Sequence, residues 1–207
     1  GRLILRALIE NFKGKIQVVG INDLGSVETN AHLIKYDSTH GILNYDVKTT
    51  KDSFQIGDQN IKVFAEKDPS KLPWSKIGAD IVLECTGFFL DKETAGKHIA
   101  AGAKKVIISA PAKQVDFTLV QGVNSKELKK EHNIISNGSC TTNCLAPVAM
   151  ILEKNFGITY GYMTTIHSYT GDQKLLDTFH KDLRRARATE GSMIPTSTGA
   201  AKAMSLV

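Results

Sequence analysis

Leucine, isoleucine and arginine recur at helical spacing over residues 2–11, which predicts an amphipathic helix. Residues 15–21 (KIQVVGI) form a short apolar run that Asn22 and Asp23 close, as a buried strand would. Residues 30–37 (NAHLIKYD) read as a short helix. Residues 53–64 read as a hairpin, SFQI and NIKVF about a Gly57-Asp58 turn. Residues 68–74 carry two prolines and read as a loop. A strand is expected at 79–83 (ADIVL), running into Glu84-Cys85-Thr86-Gly87. Residues 92–101 are helical, with Gly102 as their stop. Further strands are expected at 105–109 (KVIIS), 117–120 and 134–135. Strands alternate with helices, and each strand is a continuous apolar run. That pattern predicts a parallel sheet covered on both faces. Beyond residue 140 the texture changes: a helix over 141–156, a strand over 161–168 (GYMTTIHS), a long loop rich in Arg and Lys, and a helix from about residue 200. A domain boundary is expected near residue 139.

Composition narrows the class. The 207 residues are 42% hydrophobic and 23% charged, ordinary for a soluble globular protein. No apolar run approaches the ~20 residues that span a bilayer, and no basic-then-apolar leader is present. A net charge of +5 suits nucleic acid or a phosphorylated small substrate. The positive residues are scattered except for one cluster at 181–187. Three cysteines, two of them only four positions apart, give no disulfide framework, so a reducing, cytoplasmic compartment is expected. Both ends read as helices in progress, so the chain is expected to be a fragment.

A dinucleotide fingerprint needs three glycines at the first strand-to-helix turn and an acidic residue about 20 positions on. Here Gly1 would be the last of the three. Asp23, 22 positions later, is the acidic candidate. It would accept hydrogen bonds from ribose hydroxyls and repel a 2′-phosphate. Alternatively, Asp23 only ends a strand and caps the next turn. Thr86-Gly87 and Ser109-Ala110-Pro111 lie at the carboxyl ends of later strands, the edge where an open parallel sheet holds ligands. By position alone each is suggestive, and a plain turn is the favoured reading.

The stretch Ser136-Asn137-Gly138-Ser139-Cys140-Thr141-Thr142-Asn143-Cys144 carries the sharpest chemistry. A cysteine where a helix begins faces unpaired backbone N–H groups and the positive end of the dipole, both of which stabilise a thiolate. The same N–H groups could hold an oxyanion. Cys144, one turn on, is expected to face the helix body as a packed structural thiol. A zinc reading of this pair needs further ligands, and the remaining cysteine, Cys85, ends a distant strand. His167, 27 residues after Cys140, is the candidate base; a structural histidine is the competing reading. His32, His40, His98, His132 and His180 receive no role.

These residues resemble the glyceraldehyde-3-phosphate dehydrogenase family. Ser139-Cys140-Thr141-Thr142-Asn143-Cys144 is similar to its active-site signature. The similarity continues at 164–170 (TTIHSYT), 180–187 (HKDLRRAR) and 195–203 (PTSTGAAKA), and upstream at 22–24, 35–41 and 105–111, so it covers the whole chain. The resemblance implies an α/β chain: a Rossmann-type parallel sheet domain at 1–139, binding NAD with its first strand missing, followed by part of an α+β catalytic domain at 140–207. It implies Cys140 as nucleophile and His167 as base. It implies NAD contacts at Gly1, Asn22, Asp23, Lys67, Thr86, Gly87 and Ser109, with Lys67 standing where many members carry Arg. Substrate and phosphate contacts are implied at Ser139, Thr141, Thr170, Arg185, Thr198 and Gly199, a donor set that suits two anion sites. It requires no metal. The basic cluster would belong to a long loop lining the neighbouring subunit's cofactor site in a homotetramer. Nucleic acid is then not implied, nor any membrane. Glyceraldehyde 3-phosphate and inorganic phosphate would be the substrates.

Several features depart from the family pattern. The first strand, the Asn that holds the nicotinamide amide, a further phosphate-binding Arg and the last helix are absent, so the 207 residues alone are expected to be inactive and poorly folded. Residues 177–179 read Asp-Thr-Phe where many NAD-specific members have Asp-Leu-Pro. The nearest rival is an erythrose-4-phosphate dehydrogenase of the same family, which hydrolyses its thioester. A semialdehyde dehydrogenase, a cofactor-free thiol hydrolase and an RNA-binding nucleotide fold are more distant.

Overall fold

The computed structural model describes the backbone of residues 1–207 and the side chains of all but Ala201 and Lys202. Two compact units divide the chain: residues 1–119 with 127–138, and residues 120–126 with 139–207.

The first unit begins with α1 (Arg2–Asn11), then β1 (Gly20–Asn22) and α2 (Val27–Lys35). Ser26 caps α2, accepting the Thr29 N–H, so this helix starts earlier than the apolar pattern placed it. A two-rung ladder is next, β2 (Tyr36–Asp37) against β3 (Gly41–Ile42). Then come β4 (Val47–Thr49), β5 (Ser53–Ile56) and β6 (Gln59–Phe64), with β5 and β6 forming the expected hairpin. The first sheet runs β1-β6-β5-β4. Only its β1–β6 pair is parallel.

The strand expected at 15–21 is ordered as β only from Gly20. Its earlier residues still serve the sheet: Val18 N–H donates to Gln59 Oε1, and the Val19 carbonyl accepts from Lys62. The core under this sheet is Leu5 and Ile9 of α1, Ile34 of α2, Leu43, Phe54, Ile56 and Ile61. Arg6 is buried beside it because its guanidinium donates to the carbonyls of Ile34, His40 and Gly41.

Pro69–Lys71 make one 3-10 turn, and α3 (Trp74–Ile77) begins where a loop was expected. Next come β7 (Ile81–Glu84), α4 (Lys92–Ala100), β8 (Lys105–Ile108), β9 (Phe117–Thr118) and β10 (Ile134–Ser136). The second sheet, β7-β8-β10-β9, is wholly parallel, as the alternating strand–helix pattern predicts. Asp91 caps α4 through Thr94 N–H. At the other end Gly102 takes φ +108, and an added Cβ would lie 2.5 Å from the Ser75 Cβ, so glycine is required there. Ala95 packs on Val106, Ile108 and Ile134.

The expectation of cover on both faces holds at β10, where Ile134, Ile135 and Ser136 are all buried, but is corrected at β7. Along β7 burial alternates, with Val82 and Glu84 inside but Ile81 54% and Leu83 39% exposed. α4 packs on one face only, and the continuous apolar run does not report which face has a neighbour.

In the second unit α5 (Cys140–Phe156) is the main element, and α6 (Ala200–Ala203) packs against it. The strand expected over 161–168 is overturned: these residues form no ladder among the described residues. β-branched and aromatic residues favour a strand only where another strand pairs with them. Among the described residues no helix is long and apolar enough to cross a membrane.

Candidate active site

The turn before α5 sets the nucleophile. Ser136 donates its hydroxyl to the Ala110 carbonyl and accepts the Gly138 N–H, and Gly138 takes φ +65 to reverse the chain. Ser139 then caps α5: its Oγ accepts the Thr142 N–H at 3.0 Å and lies 2.7 Å from the Thr142 hydroxyl. Cys140 is therefore the first helical residue, exposed, where the backbone N–H groups of the first turn converge.

His167 Nε2 lies 3.1 Å from Cys140 Sγ. Its Nδ1 lies 2.6 Å from the Ser168 carbonyl, which can only accept. Nδ1 therefore carries the proton of the neutral ring, and the Nε2 lone pair faces the sulfur, the tautomer a base requires. Burial pushes the Cys140 thiol up, but the His167 hydrogen bond, the Thr141 N–H and the imidazole charge outweigh it and hold the thiol below its usual range. His167 is raised by the Ser168 carbonyl first and then by Cys140. Both shifts favour a thiolate–imidazolium pair.

Cys144 is exposed rather than packed. Positions i and i+4 share a helix face, so Cys144 points outward with Cys140, while Thr141, Thr142 and Ala146 occupy the buried side.

The implied anion-site residues of this unit are tied together in part. The Arg185 guanidinium pairs with Asp172 and donates to the Ser197 carbonyl at 3.1 Å, next to Thr198 and Gly199. The Thr198 hydroxyl accepts the Ala200 N–H, and Gly199 is the N-cap of α6. Thr170 is held by Gln173, which accepts from both its N–H and its hydroxyl. The sequence pattern does not single out Asp172, which also contacts His180 Nε2 at 3.2 Å. A charge of opposite sign within the basic loop is the available signal, but loop residues have no periodicity to say which partners meet.

In the first unit the implied cofactor residues lie at strand ends. Asp23 is exposed, and one carboxylate oxygen accepts the Gly25 N–H at 2.8 Å, so the capping role is present. Both polar atoms of the Asn22 side chain bond the Glu66 backbone, N–H and carbonyl, which ties the end of β1 to the segment after β6. Lys67 is exposed one residue on. Thr86 and Gly87 come after β7, and Ser109 after β8, its N–H donating to the Glu84 carbonyl. Gly1 stands beside the end of β7, where its added Cβ would lie 3.5 Å from the Cys85 Cβ.

Residues 1–92 match the family model described as glyceraldehyde 3-phosphate dehydrogenase, NAD binding domain, and residues 139–207 match that family's C-terminal domain. The chain is 58% identical over 207 residues to a glyceraldehyde-3-phosphate dehydrogenase of Xanthobacter flavus. It is 54% identical over 208 residues to glyceraldehyde-3-phosphate dehydrogenase 1 of Bacillus cereus, and 55% identical over 208 residues to the enzyme of Geobacillus stearothermophilus. Each similarity covers the whole of this chain and 62% of the relative's length.

The first match assigns NAD as the cofactor, and the residues present fit it. α1 has no side-chain cap for its first-turn amides, and its N-cap Gly1 stands beside Cys85 at the end of β7, the kind of helix start that receives a phosphate. Asp23 offers an exposed carboxylate at the end of β1.

Proposed function

Because this chain belongs to the glyceraldehyde 3-phosphate dehydrogenase family, we propose that its protein oxidises and phosphorylates glyceraldehyde 3-phosphate to 1,3-bisphosphoglycerate through a thioester on Cys140. The observation that carries the reading is the 3.1 Å contact between His167 Nε2 and Cys140 Sγ at the start of α5. We assign residues 1–139 to cofactor binding, through Gly1, Asn22, Asp23, Lys67, Thr86, Gly87 and Ser109. Residues 140–207 then carry the chemistry.

His167 takes the thiol proton at Nε2, and the Cys140 thiolate attacks the aldehyde carbon. The first-turn N–H groups of α5 stabilise the oxyanion that forms there. His167 returns its proton to that oxyanion, giving the hemithioacetal hydroxyl, and takes it back as the carbon is oxidised. Bound NAD supplies the hydride acceptor that leaves a thioester on Sγ. Ser139, Thr141, Thr170, Arg185, Thr198 and Gly199 hold the substrate phosphate and the attacking inorganic phosphate, whose attack on the thioester carbon frees Sγ. The protein is proposed to work as a cytoplasmic homotetramer, its 171–195 loop lining the neighbouring subunit's cofactor site.

The test is NADH formation by the full-length protein with glyceraldehyde 3-phosphate and NAD, with and without inorganic phosphate. Phosphate-dependent turnover that iodoacetamide abolishes is expected. Turnover indifferent to phosphate would shift the reading to an erythrose-4-phosphate dehydrogenase.

A further inference from the structure

Behind the Thr86-Gly87 turn lies a buried polar chain that the chemistry above does not use. The Trp74 indole N–H donates to His98 Nδ1 at 3.0 Å. His98 Nε2 lies 3.1 Å from Glu84 Oε2. Glu84 Oε1 accepts both the N–H and the hydroxyl of Thr86, at 2.7 and 2.5 Å. The Thr86 hydroxyl oxygen in turn accepts the Phe88 N–H at 3.1 Å. The side chains of His98 and Glu84 are only 5% and 3% exposed, and Phe89 sets its ring edge-on to the His98 imidazole.

The donors leave one assignment. An indole only donates, so His98 Nδ1 must accept. The neutral ring then carries its proton on Nε2 and donates to Glu84. Thr86 donates twice to the other oxygen. Glu84 thus faces donors on both sides, and a carboxylate is the side chain that accepts at both oxygens. Burial alone would push the Glu84 carboxyl up, but the bonds from His98 and Thr86 outweigh it and hold it below its usual range. A well-packed apolar pair at 84 and 98 would avoid the desolvation cost of this arrangement. What the charged version adds is a grip on the turn.

We propose that Trp74, His98 and Glu84 form a positioning relay that holds the Thr86–Phe88 backbone in the shape that receives the cofactor. The inference rests on the reading that Thr86 and Gly87 touch NAD.

Glu84→Gln separates the relay from packing, because it keeps the shape but exchanges one acceptor for a donor. It can satisfy His98 or Thr86, not both. In the full-length protein this variant is expected to bind NAD about tenfold more weakly, a loss of about 1.4 kcal/mol. KM for NAD should rise in step, while kcat at saturating NAD and the rate of Cys140 alkylation without NAD stay unchanged. His98→Leu should weaken NAD binding likewise. His98→Gln should rescue it, since the amide oxygen can accept from Trp74 and the amide N–H can donate to Glu84. Gly87→Val tests the cofactor site directly. If Gly87→Val weakens NAD binding and Glu84→Gln does not, the relay is overturned and the site stands. If neither weakens it, both readings fall. Should Glu84→Gln not fold, the histidine pair decides: equal NAD affinity in His98→Leu and His98→Gln would reduce the chain to packing and overturn the proposal.

Discussion

Cys140 opens a seventeen-residue helix whose start is fixed by its own neighbours, whereas His167 sits in an irregular segment with no ladder partner among the described residues. The nucleophile is placed by a glycine turn and the Ser139 cap, all within a few residues. The base is placed by the Ser168 carbonyl on one side of its ring and the sulfur on the other. The helix start is therefore robust, and the sulfur–nitrogen contact depends on how a long segment returns. The contact also couples their titrations, so each residue's function depends on the other's support.

The largest break in this comparison is Cys140→Ser. It leaves the cap intact and removes the sulfur, so turnover is expected to fall on the order of 10⁴-fold or more. Near-normal NADH formation by that variant would rule out the thioester route. His167→Asn comes next, with turnover lower on the order of 10²-fold. The sign of its pH effect comes from the two shifts. The wild-type thiol lies below its ordinary value and the imidazole above its own, each charged form favoured by the other. Without the imidazole, the midpoint of Cys140 alkylation by iodoacetamide should move up towards an ordinary thiol. An unmoved midpoint would mean that the helix N-terminus alone tunes the sulfur.

A third substitution sharpens the contrast with the first unit. Asp116 accepts from Lys92 and from the N–H groups of Asn133 and Ile134, tying α4 to β10. Burial opposes its ionised form, but these bonds outweigh it and lower its pKa to about 2. That lies below the ~3.9 of an unfolded aspartate, so its stabilisation is full above that value and is lost as pH falls through the folded one. Asp116→Asn is expected to lower stability by about 1–2 kcal/mol near neutral pH. Its thermal deficit relative to wild type should shrink as pH is lowered towards 2; a deficit independent of pH would contradict the assignment. The smallest effect belongs to Ser139→Ala, about 1 kcal/mol of stability from the lost cap, read as a modest fall in Tm. No change would show that α5 starts without it.

Much of the first unit is legible in the sequence because its signals are local. The helix at 2–11, the hairpin about Gly57-Asp58, the Gly102 stop and the parallel order of the later strands all come from spacing and turn chemistry. α3 is not legible because its single turn is too short to show a period and begins right after Pro73. Residues 161–168 carry strand-forming side chains, but pairing requires a neighbour that composition does not name. The expectation of a packed thiol at Cys144 fails on helix geometry, since position i+4 shares the exposed face of Cys140. His98 has no distinguishing sequence context; its partners Glu84 and Trp74 lie 14 and 24 positions away.

The sequence by itself placed the start of α5 to within one residue, 141 against the observed Cys140, since a capped helix start is written in contiguous residues. It also carried the family resemblance, and with it the order of the nucleotide-binding and chemical portions. Only the tertiary structure decided which imidazole nitrogen faces Cys140, that Asp172 holds Arg185, and that His98 stands against the buried Glu84 carboxylate behind the turn after β7. Those three arrangements rest on contacts between side chains 13 to 27 positions apart. Their geometry depends on where intervening segments pack, and no local propensity encodes that.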